Sequence, residues 1–361
     1  MTYLDANATE PLRPQARDAL IVALAVTGNP SSVHAAGRAA RRLLESARES
    51  LAARFGARPA DLVFTSGGTE ADALAVHGLG TSRRIILGAT EHDALRAAAP
   101  DAIILPVDRQ GRADLDRLAI LVAEGAALVC LMHANNETGV LHPIAEAAAI
   151  CRRHGALLHV DAVQTAGRIG VSLAALGAHS LAISSHKLGG PAGAGALVLT
   201  EDAALALAPL IRGGGQERGR RGGTPAVATI AGFAAAAAAA SGDAASLGPL
   251  RDAAEQAAIA AGAIPTVTGT ARLPNTTSLA LPGVPAETQV IALDLAGISV
   301  SAGAACSSGK VTRSHVLDAM GLGVRAGETI RVSLAWNTTE ADIAAFAAAY
   351  AMVAARLRRA A

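Results

Sequence analysis

Between about residues 60 and 200, short unbroken apolar runs alternate with longer segments of helical composition. The runs at 62–65, 85–87, 103–105, 128–131, 157–160, 181–184 and 197–199 read as buried strands. Their apolar character is continuous rather than alternating, which suits a sheet covered on both faces. The pattern predicts an α/β architecture built on a mostly parallel seven-stranded sheet.

Beyond Arg212-Gly213-Gly214-Gly215 the character changes. Alanine-rich stretches at 226–240 and 252–261 predict helices, divided by breaks at Ser241-Gly242-Asp243 and Gly248-Pro249. Strands at 277–281, 298–301 and 329–335 and a closing helix at 340–358 predict a smaller α+β unit. The expected organisation is a large domain over 15–250 and a small domain formed by 1–14 with 251–361.

A chain of 361 residues can bury a substantial core without staples. Its three cysteines, Cys130, Cys151 and Cys306, are too few and too scattered for a disulfide framework or a repeated Cys-pair zinc site, so no metal is expected and a reducing compartment is favoured. The opening residues lack a basic segment followed by an apolar core, which together with the cysteine count predicts a cytoplasmic address. Although 51% of residues are hydrophobic, no apolar run is long enough to span a bilayer. Lys plus Arg number 31 against 30 for Asp plus Glu, a net charge of +1, and aromatics are 2%; neither a nucleic-acid surface nor a membrane surface is implied.

Polar residues cluster just after the predicted strands: Ser66-Gly67-Gly68-Thr69, Glu91-His92, Asn135-Asn136-Glu137, Asp161 to Gln164, and His186-Lys187. Ligands of open α/β sheets sit beyond the carboxyl ends of strands, so these clusters predict one shared pocket. Each also has a plain alternative. Gly67-Gly68-Thr69 opens a helix and suits a phosphate, or is simply a tight connection. Asp161 beyond a buried strand needs a cation such as a protonated pyridine nitrogen, or is a helix N-cap. Lys187 in a crevice would be a usable imine former, its pKa depressed by burial, or is a lysine at a strand exit. His92 stacks on a planar group and moves protons, or caps a helix. Cys130 and Cys151 fall inside predicted elements and read as packing residues. Cys306 sits in Ser301-Ala302-Gly303-Ala304-Ala305-Cys306-Ser307-Ser308-Gly309, a run poor in bulk that predicts an exposed, mobile thiol near Lys310.

In order along nearly the whole chain, these motifs resemble the group I (NifS/IscS-type) cysteine desulfurases of the class V aminotransferase family. The likeness takes in Gly28-Asn29-Pro30-Ser31-Ser32, Phe64-Thr65-Ser66-Gly67-Gly68-Thr69-Glu70, Thr90-Glu91-His92, Met132-His133-Ala134-Asn135-Asn136-Glu137-Thr138-Gly139, His159-Val160-Asp161-Ala162-Val163-Gln164, Ser184-Ser185-His186-Lys187 and Gly213-Gly214-Gly215-Gln216-Glu217-Arg218-Gly219. It implies a fold-type I pyridoxal-phosphate transferase that converts L-cysteine to L-alanine. A selenocysteine lyase or another class V aminotransferase is the alternative that shares most of these residues.

By the same resemblance Lys187 matches the lysine that carries pyridoxal 5'-phosphate, Asp161 the partner of its ring nitrogen and His92 the histidine on its ring face. Asn136 and Gln164 match the side chains around its hydroxyl, with Asn136 also near the substrate. Gly68, Thr69, Ser184, Ser185 and His186 match its phosphate site, and Thr224 the threonine that reaches the phosphate of a second copy, which implies a homodimer. Arg331 matches the arginine that clamps the substrate carboxylate. Cys306 matches the thiol that receives the sulfur as a persulfide and delivers it to an acceptor protein such as an iron–sulfur scaffold. The chain departs from the pattern at Ala6, Glu10, Gly68 (more often alanine) and Ala304-Ala305.

Overall fold

The computed structural model describes residues 1–240, 243–303 and 313–360. Cys306 lies outside the described residues. The chain opens on a short strand, β1 (Thr2–Tyr3), and then builds a seven-stranded sheet from β2 (Leu62–Thr65), β3 (Arg84–Gly88), β4 (Ile103–Leu105), β5 (Ala127–Met132), β6 (Leu157–Asp161), β7 (Ser180–Ser184) and β8 (Gly195–Leu199), ordered β2-β8-β7-β6-β5-β3-β4. The pairs β3–β4, β3–β5, β5–β6 and β6–β7 are parallel, and β8 runs antiparallel to both of its neighbours. The seven runs read from the sequence are these seven strands, each within two residues at either end.

Their lack of alternation has the expected cause. Phe64, Val129, Leu158, Val160 and Ile183 enter one apolar cluster, while Val63, Leu128, Cys130, Ala182 and Leu197 enter another. Successive side chains of a strand point to opposite faces, and here both faces are buried. On one side lie the helices Ala35–Phe55 and Val227–Ala239; on the other lies the helix Gly68–Leu79. Cys130 and Cys151 are free, buried thiols, and burial pushes Cys151 up to about 12.

A third cluster joins Leu4 to residues drawn from 247 to 354, among them Leu279, Leu293, Ile330, Phe346 and Tyr350. Around it lie β9 (Ile264–Pro265), β10 (Thr276–Ala280), β12 (Ser301–Ala302) and β13 (Thr329–Ser333), in the order β12-β13-β10-β9, while β11 (Ile298–Ser299) pairs with β1. The single strand expected at 298–301 is therefore two. Its first half pairs with the N-terminus, its second with β13.

Gly248-Pro249, expected to divide the helices, does not end one: Asp243–Ala260 runs through Pro249. A proline in a helix interior removes one hydrogen bond and crowds the preceding turn. Leu247, Ala254 and Ala258, all buried in the third cluster, hold the helix against that cost. No helix of the described residues is long and apolar enough to cross a membrane.

Candidate active site

The carboxyl ends of β2, β3, β5, β6 and β7 open on one cavity of about 280 Å³. Its walls include Gly68, Thr69, His92, Asn136, Asp161, Gln164, Ser184, His186 and Lys187. These residues come from five separate strand ends.

After β2 the chain turns through Ser66 and Gly67 into the helix Gly68–Leu79. Glu70 Oε2 accepts from the Ser66 N–H at 2.8 Å, and Glu70 is held in turn by Arg221 at 2.7 Å. The first turn of a helix has backbone N–H groups without intrahelical partners, and the dipole makes that end positive. Gly68 and Thr69 present this end to the cavity. An anion is the ligand it fits.

Asp161 ends β6, and its Oδ1 accepts from the Val163 N–H at 2.8 Å. Burial, reinforced by the nearby Asp72 charge, pushes its carboxyl up to about 7. A buried carboxyl so displaced is short of a cation. Asp72, also on the wall, is pushed up to about 8 by burial. It meets His159 Nε2 at 3.1 Å, while burial pushes His159 down to about 4, so the contact is a neutral hydrogen bond rather than an ion pair.

Lys187 closes the short turn Ser185–Lys187 that follows β7. Its Nζ donates to the backbone oxygens of Asn7 at 2.6 Å and Ala8 at 3.0 Å, which brings the N-terminal segment over the site. The amine is half-buried on the cavity wall, not on an open surface. Beside it His186 Nδ1 meets Thr9 Oγ1 at 3.0 Å, and burial with the Lys187 charge pushes His186 down to about 4.

His92 caps a helix, the plainer of its two sequence readings, and it also stands on the cavity wall. Its Nδ1 accepts from the Ala94 N–H at 3.1 Å, capping the helix Asp93–Ala98, while the ring lines the cavity. Asn136 is set by an Asx turn in which Asn135 Oδ1 accepts from the Glu137 and Thr138 N–H groups. Gln164 Nε2 donates to Asn7 O at 3.0 Å.

Three sequence-predicted residues stand off the walls. Ser185 is buried, and its Oγ has no hydrogen-bond partner among the described residues. Thr224 is exposed. Arg331, 2% exposed, donates through Nη2 to Asp5 Oδ1 at 2.7 Å and through Nη1 to Asn136 O at 3.0 Å, while its buried Nε lacks a partner among the described residues. Cys306 lies outside the described residues; further along the chain Ser314 Oγ donates to Glu137 Oε2, and Glu137 stands next to Asn136.

Sequence reasoning missed Asp72, Met132 and Val163 on the walls, and the strap of Asn7 and Ala8 over Lys187. An Asp in the first turns of a helix looks like a solvated charge; only its buried position distinguishes it.

The chain is similar to known proteins over nearly its whole length. A family model described as Aminotransferase class-V matches residues 2–346. A cysteine desulfurase from Cereibacter sphaeroides is 40% identical over 359 residues, covering 94% of this chain and 92% of the relative. An IscS-like cysteine desulfurase from Mycobacterium tuberculosis is 36% identical over 387 residues, covering 100% of this chain and 98% of the relative. The X-ray structure of a NifS-like protein from Rickettsia africae superposes with a TM-score of 0.91 at 36% identity, covering 98% of this chain and 99% of that one.

Proposed function

The chain belongs to the class V aminotransferase family, and from that premise we propose that it is a pyridoxal-phosphate-dependent cysteine desulfurase. L-Cysteine is converted to L-alanine, and Cys306 receives the sulfur as a persulfide for an acceptor protein such as an iron–sulfur scaffold. One observation carries this reading. The Lys187 side chain, the buried Asp161 carboxyl and the amino end of the helix Gly68–Leu79 face a single cavity.

The donor set fits the cofactor. Asp161, pushed up to about 7 and short of a cation, suits a protonated ring nitrogen. The helix terminus at Gly68 and Thr69, with Ser184 and His186 on the same walls, suits the phosphate. Lys187 would be the covalent attachment point, His92 would lie against the ring, and Asn136 and Gln164 would flank its hydroxyl.

When bound, pyridoxal phosphate supplies an electron sink for the charge left on a substrate Cα that has lost its proton. Lys187 Nζ takes that proton and later returns one, and Asp161 keeps a proton at the ring nitrogen. Arg331, already buried beside Asn136, would meet the substrate carboxylate with its guanidinium. The Cys306 thiolate attacks the substrate sulfur. An S–S bond forms as the substrate's C–S bond breaks; the electron pair of that bond stays with the carbon, Cβ takes up a proton to match the one the substrate thiol gives up, and the carbon skeleton leaves as alanine.

The same reading includes a cytoplasmic homodimer in which Thr224 of each copy completes the phosphate site of the other. Its support is that Thr224 is exposed and off the wall of its own cavity. It also takes 15–250 as the cofactor domain and 1–14 with 251–361 as the small one, supported by the packing of Leu4 with the C-terminal cluster. The test is Cys306→Ala. The visible absorbance of the cofactor-loaded protein stays as in the parent while alanine formation from L-cysteine is lost; unchanged turnover overturns the assignment of Cys306. A parent that turns over L-selenocysteine but not L-cysteine is a selenocysteine lyase instead.

A further inference from the structure

Gln164 is held in one orientation by a buried guanidinium that no part of the mechanism above uses. Arg168 Nη1 donates to Gln164 Oε1 at 2.6 Å and to Gln164 O at 2.7 Å. The opposite end of the amide, Nε2, donates to Asn7 O at 3.0 Å. A guanidinium only donates and a backbone carbonyl only accepts. Rotating the amide by half a turn would therefore set donor against donor at Arg168 and acceptor against acceptor at Asn7. Nε2 carries a second hydrogen, and among the described residues no acceptor takes it.

Arg168 is itself anchored. Its Nη2 donates to Ala6 O at 3.1 Å and lies 3.3 Å from Glu10 Oε1, with the two side chains 3% and 4% exposed. Glu10 Oε2 accepts from the Trp336 N–H at 3.3 Å, tying the pair to the segment after β13. A buried guanidinium without an anion would be costly. Glu10 supplies that anion.

We infer that Arg168, held by Glu10, is a positioning residue that fixes the Gln164 amide so that an N–H, not a carbonyl, is offered to the cofactor. This rests on the reading of Gln164 as a cofactor contact. Arg168 touches neither cofactor nor substrate; it acts through Gln164.

The test uses the full-length chain and pyridoxal phosphate, and reads the position of the visible absorbance band at fixed pH together with the cofactor dissociation constant. Gln164→Ala shifts the band and weakens binding by about 2- to 10-fold, one hydrogen bond's worth. Arg168→Met strands the Glu10 carboxylate, so the variant Glu10→Leu/Arg168→Met removes both charges together. It shifts the band in the same direction as Gln164→Ala, and adding Gln164→Ala to it produces little further change, because both act on one contact. Arg168→Lys, which keeps the charge opposite Glu10 but loses the fork, gives a smaller shift of the same sign and carries the test should the double variant fail to fold. A parental band and dissociation constant in the Arg168 variants, with both altered in Gln164→Ala, overturns the inference. Full additivity of the two changes overturns it as well. If Gln164→Ala alters neither, Gln164 is not a cofactor contact, and the reading and the inference fall together.

Discussion

Replacing Gly68 by alanine inserts a methyl group where this chain has no room for it. A Cβ at Gly68 stands 2.7 Å from Val163 Cγ2 and 3.5 Å from Ser184 Cβ. Real Cβ contacts do not approach 2.7 Å, so Val163 must move by more than half an ångström toward ordinary contact. Val163 cannot move cheaply: it is β-branched, with few rotamers open, and its N–H is the donor to Asp161 Oδ1 at 2.8 Å. Overpacking of this kind costs about 1–3 kcal/mol. Alanine regains at most about 1 kcal/mol over glycine at a helical position, so the net loss is about 0–2 kcal/mol. The larger consequence is at the site, where the Asp161 carboxyl and the helix terminus shift together. Thermal unfolding and pyridoxal-phosphate titration of Gly68→Ala, Val163→Ala and the double variant separate these effects. Gly68→Ala lowers both stability and cofactor affinity, and Val163→Ala, by removing Cγ2, restores affinity in the double variant. Parental affinity in Gly68→Ala alone, or no restoration in the double variant, refutes the reasoning.

Burial pushes His142 down from 6.5 to about 4, with Thr90 Oγ1 at 3.3 Å from Nε2 and the Ala113 N–H donating to Nδ1. Its folded value lies below its unfolded one, so its contribution is whole above 6.5 and is lost as pH falls toward 4. Asp72 and Asp161, displaced upward, act in the opposite sense. The measurement is therefore a difference: the stability advantage of the parent over His142→Asn, from denaturant unfolding, falls by up to roughly 3 kcal/mol across that window, and a flat difference contradicts the buried neutral ring. Gly303→Ala places a Cβ 2.7 Å from Glu137 Oε2 and 2.9 Å from Ser314 Cβ. Disturbing the Ser314–Glu137 hydrogen bond next to Asn136 lowers L-cysteine turnover while the cofactor stays bound; parental turnover would refute the importance of that contact.

Much of the large sheet was legible because a strand buried on both faces writes itself as an unbroken apolar run, and the cavity-lining residues sit where those runs stop. Direction was not legible. Nothing in Gly195–Leu199 marks β8 as antiparallel, since a doubly buried strand looks the same both ways. The division at Val300 escaped for a related reason: four suitable strand residues do not reveal that Ile298 faces Thr2 while Ser301 faces Arg331. Pro249 misled because local propensity reads the backbone penalty but not the burial of Leu247 and Ala254 that opposes it. Within the site, strand-end residues were found, but the long-range contacts that hold them were not. Asn7 reaches Lys187 across 180 positions, and Arg331 reaches Asp5 across 326. Contacts so distant in sequence leave no periodicity, and only the folded chain joins them.

The central claim is that sulfur leaves L-cysteine and arrives on Cys306. It is tested most directly by one incubation of the cofactor-loaded protein with L-cysteine and no reductant, followed by alanine quantification and peptide mass spectrometry. The expected result is one alanine per active site in the first turnover and one added sulfur on the peptide carrying Cys306. Alanine without sulfur on that peptide, or pyruvate in place of alanine, would contradict it.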